Sequence, residues 1–274
     1  MKFNMSEAWR DATAMMSGNR EVLLIVAGLF FFLPSLVLGL ALGDVQSEVE
    51  SLATGNPESA TRIAFSIYGQ WWWLLLLIAI VSVVGYLALL ALLRDTSRPT
   101  VGEAIRIGFV GLLPAIGTYI VLWLGLGFGA AVLAMIARVT GSGAIGLLIG
   151  AIVVVLAIYV AIKVSLSGPV IAIDKVYNPF KVLARSWRLT KGNSLRLFLF
   201  YLLLVIVYFV IALVVGMVVG VLTFAAGQSV GLIVNAFLSG AISAAACVVF
   251  VAVFAAAHRQ LAGPSVAAVS QTFE

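Results

Sequence analysis

Six basic side chains crowd into the stretch from Asp174 to Arg196, DKVYNPFKVLARSWRLTKGNSLR: Lys175, Lys181, Arg185, Arg188, Lys191 and Arg196. Side chains of this kind hold phosphate, arginine through a planar fork of N–H groups and lysine as a point charge. The chemistry they offer is anion binding. Lys181, Arg185 and Arg188 fall at i, i+4 and i+7, on one helical face, while Phe180, Leu183, Ala184 and Trp187 fall on another. Such a helix lies flat at a membrane surface, its aromatic rings at the acyl boundary and its cations toward lipid phosphates. Lys181, Arg185, Arg188, Lys191 and Arg196 are thus the expected phosphate partners, with Phe180 and Trp187 as interfacial anchors. Asp174 either tempers this charge or pairs with one of the cations; the spacing does not choose.

Other chemistry is sparse. A single histidine, and no HExxH, Walker A or GxSxG motif, leaves no complete catalytic constellation. A non-enzymatic protein without cofactor or metal is expected. Asp44, Glu48, Glu50 and Glu58 gather between 43 and 70, with Arg62 the only cation, but lack the alternation and central glycine of a calcium loop. They read as a solvated loop turning at Gly55-Asn56-Pro57. Cys247, the only cysteine, lies in an apolar run and reads as a small packing residue.

The elements that position these groups follow from composition. The chain has 274 residues, 63% of them hydrophobic and 10% charged, with a mean hydropathy of +1.19. These values exclude an ordinary soluble domain and point to an all-α polytopic membrane protein. The net charge of +5 is no nucleic-acid signature, because the cations sit between apolar spans; anionic phospholipid is the natural partner.

Six spans are expected, at about 21–42, 71–93, 110–137, 144–166, 195–223 and 230–257, in a single domain covering 1–274. Residues 1–19 form an interfacial helix, with Met5, Trp9, Ala12 and Met16 on one face. The first span reads as a retained helix kinked at Pro34, since a cleaved signal has a shorter apolar run. Trp71, Trp72 and Trp73 open the second span as an interfacial anchor; a stacking platform for a sugar or base is the sharper alternative. Glu103 and Arg106 are spaced to pair in a short helix of their own, Thr100–Phe109. Lys163 ends the fourth span, where it can snorkel, and Gly168-Pro169 breaks the helix beyond. From His258 the chain reads as a cytoplasmic tail, 258–274.

Fourteen of the sixteen Lys and Arg fall on one side of this layout, leaving Arg62 and Arg138 opposite. The positive-inside rule places both termini in the cytoplasm. The segments before spans one, three and five each hold an amphipathic stretch, suggesting three hairpins with surface helices at their entrances. Short echoes support a repeat: Glu7-Ala8-Trp9-Arg10 with Glu103-Ala104-Ile105-Arg106, and Gly18-Asn19 with Gly192-Asn193.

Gly39/Gly43, Gly125/Gly129, Gly146/Gly150 and Gly216/Gly220 have the spacing that lets helices approach closely. In the sixth span Gly231, Asn235, Ser239, Ser243 and Cys247 recur every four residues. That stripe is expected inside the bundle, as an interhelical hydrogen-bonding seam or the lining of a polar path. No ionisable residue joins it, which weighs against an ion-coupled transporter.

The stretch GPVIAIDKVYNPFKVLARSWRLTKGNSLRLF, from Gly168 to Phe198, carries a proline and an acidic residue ahead of a helix ending R-S-W-x-L-T-x-G-N. It resembles the membrane domain found with some glycerophosphoryl diester phosphodiesterases and the related YciC-type bacterial inner-membrane proteins. The resemblance implies a six-span bacterial inner-membrane protein. It does not bring the phosphodiesterase activity, because no soluble stretch here is long enough for the catalytic barrel. Three functions remain open: binding or organising anionic phospholipid, transporting or flipping a small molecule or lipid, and holding a protein partner.

Overall fold

The computed structural model describes residues 2–41, 57–93 and 100–263. The acidic turn at Gly55-Asn56, Arg94, Arg98, Gly43 and the end of the expected tail lie outside them. The described chain is all-α, with six helices long and apolar enough to cross a membrane.

Helix α1 (Met5–Gly18) begins where the Asn4 side chain accepts from the Ser6 and Glu7 amides. Its buried face is Ala8 and Ala12; Trp9 is exposed. The first span has three parts: α2 (Arg20–Ala27), a π-helical turn (Gly28–Phe32) and α3 (Leu33–Ala41). The turn answers Pro34, which has no N–H to offer Phe30 and whose ring crowds the Phe30 carbonyl. Widening the helix by one residue, with the Leu33 amide reaching Gly28, absorbs that conflict ahead of the proline.

Helix α4 (Pro57–Leu92) starts well before its apolar span at Gly69–Leu92, so Trp71–Trp73 stand within it rather than at its start. Trp72 and Trp73 are exposed there and Trp71 is half-buried. Helix α5 (Val101–Thr140) opens with a capping box in which the Glu103 carboxylate accepts from the Thr100 amide. Glu103 therefore caps the helix instead of pairing with Arg106. The separate helix expected at Thr100–Phe109 is the first turns of this 40-residue helix. Gly108 and Gly111 let α4 approach it closely: a Cβ on Gly108 would lie 2.5 Å from the Val84 carbonyl.

Helix α6 (Gly143–Val164) follows the turn at Gly141, whose φ of +64° closes α5 in the left-handed conformation. The break expected at Gly168-Pro169 comes earlier, at Ser165-Leu166, and the chain re-enters helix as α7 (Ser167–Ala172). Proline is tolerated there because the first turn of a helix leaves its amides without intrahelical acceptors. All six residues of α7 are buried. The Tyr86 ring packs on Gly168 so closely that a Cβ would lie 2.4 Å from it.

Helix α8 (Pro179–Leu189) is capped by the Asn178 side chain, with Pro179 at its first position. Helices α9 (Ser194–Ala226) and α10 (Gln228–Ala262) form the last hairpin. Spans three and four likewise pair through α5 and α6, and the first span lies along both α4 and α10, so the bundle closes on itself. Tight packing concentrates at one end, where Leu87–Leu92 of α4, α7 and Val251–Ala257 of α10 meet.

The close approaches use other glycines than those expected. A Cβ on Gly125, Gly129, Gly146, Gly150, Gly216 or Gly220 would meet nothing within 4 Å. The seams instead run through Gly85 on Phe30, Gly108 and Gly111 on α4, and Gly240 on Phe32. Gly39, facing Ala236, is the one described member of the expected pairs that does pack. The expected polar stripe is also displaced: Ser239 is exposed, and Asn235 and Ser243 are half-buried. Ser239 donates to Asn235 on its own helix at 3.1 Å. The interior of α10 is lined by Ala236, Gly240 and Ala244, since close helix contact selects for small size, not polarity.

Candidate anion-binding cleft

The well-packed end of the bundle carries the basic segment. The C-terminus of α7 is closed by hydrogen bonds from Asp174 to the Pro169 carbonyl and from Val176 to the Val170 carbonyl. Lys175 takes the left-handed position between them, φ 55°, which glycine more often fills. This turn leads the chain from Asp174 into α8.

The Asp174 carboxylate meets two partners through one oxygen. Arg185 donates to it through Nε, and the His258 ring lies 3.1 Å away through Nε2. Burial pushes the Asp174 carboxyl up, but the hydrogen bond and charge of His258, then those of Arg185, outweigh it and hold the carboxyl below its ordinary value. His258 is buried in the last turns of α10, not part of a polar tail, and that helix continues to Ala262.

Helix α8 is fastened on its other side to α6. Ser186 donates to the Lys163 carbonyl at 2.7 Å, and Thr190 lies 3.5 Å from the same oxygen. The Lys163 ammonium stands 5.4 Å from the Trp187 ring and 5.5 Å from Tyr159, and the two rings meet edge to face. Lys163 is thus buried between aromatics rather than snorkelling outward. The seating face of α8 is Val182 and Ser186, with Phe180 exposed and Trp187 only partly covered.

Between α8, the start of α9 and the end of α10 lies a cleft of about 350 Å³ lined by Arg185, Arg188, Leu189, Lys191, Asn193 and Leu261. The turn into α9 requires Gly192, with φ +81°. It sets Asn193 where its side-chain oxygen accepts from the Phe3 amide at 2.8 Å. The Phe3 carbonyl in turn accepts from Arg196 at 3.3 Å, Asn4 meets Gln260, and Asp11 pairs with Arg259 at 2.6 Å. Both described ends of the chain are therefore tied together beside the cleft.

The five expected phosphate partners separate here. Arg185, Arg188 and Lys191 line the cleft; Arg196 turns to the N-terminal backbone, and Lys181 is exposed outside the lining. The Arg188 and Lys191 side chains are exposed and have no hydrogen-bond or ion-pair partner among the described residues. Sequence reasoning read His258 as part of a tail and Lys163 as snorkelling, because each anchor depends on helices far apart in the chain; it left open which cation Asp174 meets, and the turn between α7 and α8 decides that for Arg185. Among the described residues no group of three or more His, Cys, Asp or Glu is placed to hold a metal ion.

Comparisons with curated proteins and with solved structures return no match. Residues 6–261, from the first turn of α1 to the last turn of α10, match a family described as a domain of unknown function, and the chain therefore belongs to the DUF7847 family.

Proposed function

We propose that the protein is a non-enzymatic integral membrane protein that binds anionic phospholipid headgroups in the basic cleft on the cytoplasmic side of a bacterial inner membrane. One observation carries this reading: Arg188 and Lys191 stand uncommitted in a cleft whose third cation, Arg185, is fixed in place by Asp174. A carboxylate that positions one cation while leaving two unpaired keeps the cleft positive. The cleft also lies where headgroups would be, at the end of the spans where α8 rests on the bundle. The sidedness follows from charge, since both described ends and most of the described cations share that end, with Arg138 at the far end of α5. Transport has less support, because the Asn235–Ser239–Ser243 stripe it would use has an exposed centre.

The test is lipid retention. Arg188→Gln with Lys191→Gln removes two charges from exposed, unpaired positions and leaves the Asp174 anchor untouched. Each cation near an anionic surface is worth about 1 kcal/mol, so the double variant should hold phosphatidylglycerol about 30-fold more weakly at low salt. Native mass spectrometry of protein taken from mixed phosphatidylglycerol and phosphatidylcholine should show the anionic adduct reduced and the neutral one unchanged. Equal phosphatidylglycerol retention by both proteins would sink the reading.

A further inference from the structure

A second cavity lies on the flank of the bundle and shares no lining residue with the basic cleft. It encloses about 470 Å³ between the first span and α10 and is lined by residues that include Arg20, Leu24, Gly28, Phe32, Ala241 and Ala245, within the size range of small-ligand sites. Its wall on α10 is made of Ala241, Ala244, Ala245 and Val248, mostly small side chains, so the helix leaves room there. Its floor is closed by Phe32, which packs on Gly240 and meets Phe237 edge to face at 5.2 Å. The π-helical turn places Gly28 and Phe32 at this depth.

Arg20 is the one charged side chain among the described lining residues. It is exposed, opens the first span, and has no hydrogen-bond or ion-pair partner among the described residues. From Arg20 to Phe32 the helix rises about 18 Å at about 1.5 Å per residue. One leaflet of hydrocarbon is about 15 Å deep, half the thickness of the apolar core. The groove therefore runs from headgroup level to the bilayer midplane, with a cation at its mouth and aromatic rings at its base.

We infer that this groove takes one acyl chain of an anionic glycerophospholipid, whose headgroup phosphate is held by Arg20. The length fits a single chain of one leaflet, and the charge fits a phosphate rather than the apolar face of a second protein copy. This site is separate from the basic cleft and stands or falls without it.

The probe is phosphatidylglycerol spin-labelled on its acyl chain, compared with equally labelled phosphatidylcholine, in phosphatidylcholine vesicles containing the full chain. In the Arg188→Gln, Lys191→Gln background, where the cleft has lost its two unpaired cations, the protein should immobilise phosphatidylglycerol with about a five-fold preference, the weight of one cation at an anionic surface. Adding Arg20→Gln to that background should abolish the preference. Ala245→Leu, at an exposed lining position, should remove the immobilised component attributable to the groove for both lipids. Arg188→Gln with Lys191→Gln should leave the Arg20-dependent preference in place, which separates a failure of the cleft from a failure of the groove. An immobilised component unchanged by Ala245→Leu overturns the inference. So does a preference that survives Arg20→Gln in the Arg188→Gln, Lys191→Gln background, or a dimer that Ala245→Leu converts to a monomer, which would make a second copy the occupant.

Discussion

At the scale of single residues, one carboxylate, that of Asp174, touches both the Arg185 guanidinium and the buried His258 ring. Replacing it with asparagine removes the charge and leaves His258 with a weaker acceptor. The cost should be about 1–3 kcal/mol, the range for a buried polar group losing its partner. Because the folded carboxyl is held below its ordinary value, its stabilising contribution is complete above the unfolded value of about 3.9 and is lost as pH falls through the lower folded value. Thermal unfolding in detergent should therefore show Asp174→Asn melting below wild type at neutral pH, with the gap closing in acid. A gap that stays constant down to about pH 3, below the unfolded value, would contradict this linkage. The same pair shows a limit of sequence reasoning. Asp174 and Arg185 were visibly near in sequence, whereas His258 is brought to them only by the closure of α10 on α7 and α8.

At the scale of elements, helix periods and apolar runs identified the spans, because a bilayer selects for length and hydropathy, which are local properties. Glycine spacing did not identify the seams. Gly125 and Gly129 match the small-residue motif yet face open space, while Gly108 and Gly111, three apart, carry the α4–α5 contact. The motif states that approach is permitted; only the partner helix decides where it occurs. A paired substitution tests this. Gly108→Ala drives a Cβ into the Val84 carbonyl and should cost about 1–3 kcal/mol. Gly125→Ala meets nothing and should be neutral or stabilise by up to about 1 kcal/mol through helix propensity. Equal melting temperatures for the two variants would remove the seam from Gly108. The polar stripe of α10 failed for a related reason: four-residue spacing defines a face, but not which neighbour it meets.

At the scale of the whole molecule, the packed core and the cations share one end, while the opposite halves of α5, α6 and α9 present large apolar side chains outward, including Phe128, Leu147 and Phe224. In hydrocarbon that exposure carries no penalty. Anchored at the basic end, the bundle holds α8 and its cleft where the proposed function needs headgroups to lie. The charge asymmetry predicts the orientation: a reporter fused after Gly55 should lie outside and one after Thr272 inside, and finding both on one side would overturn the six-span path. The most direct measurement of the central claim is the dissociation constant of a short-chain phosphatidylglycerol across a salt series, for wild type and for Arg188→Gln with Lys191→Gln. Wild type should bind more tightly at low salt and lose that advantage as salt screens the cleft. The double variant should bind more weakly and with a shallower salt dependence. Identical constants and identical salt slopes for the two proteins would contradict the account.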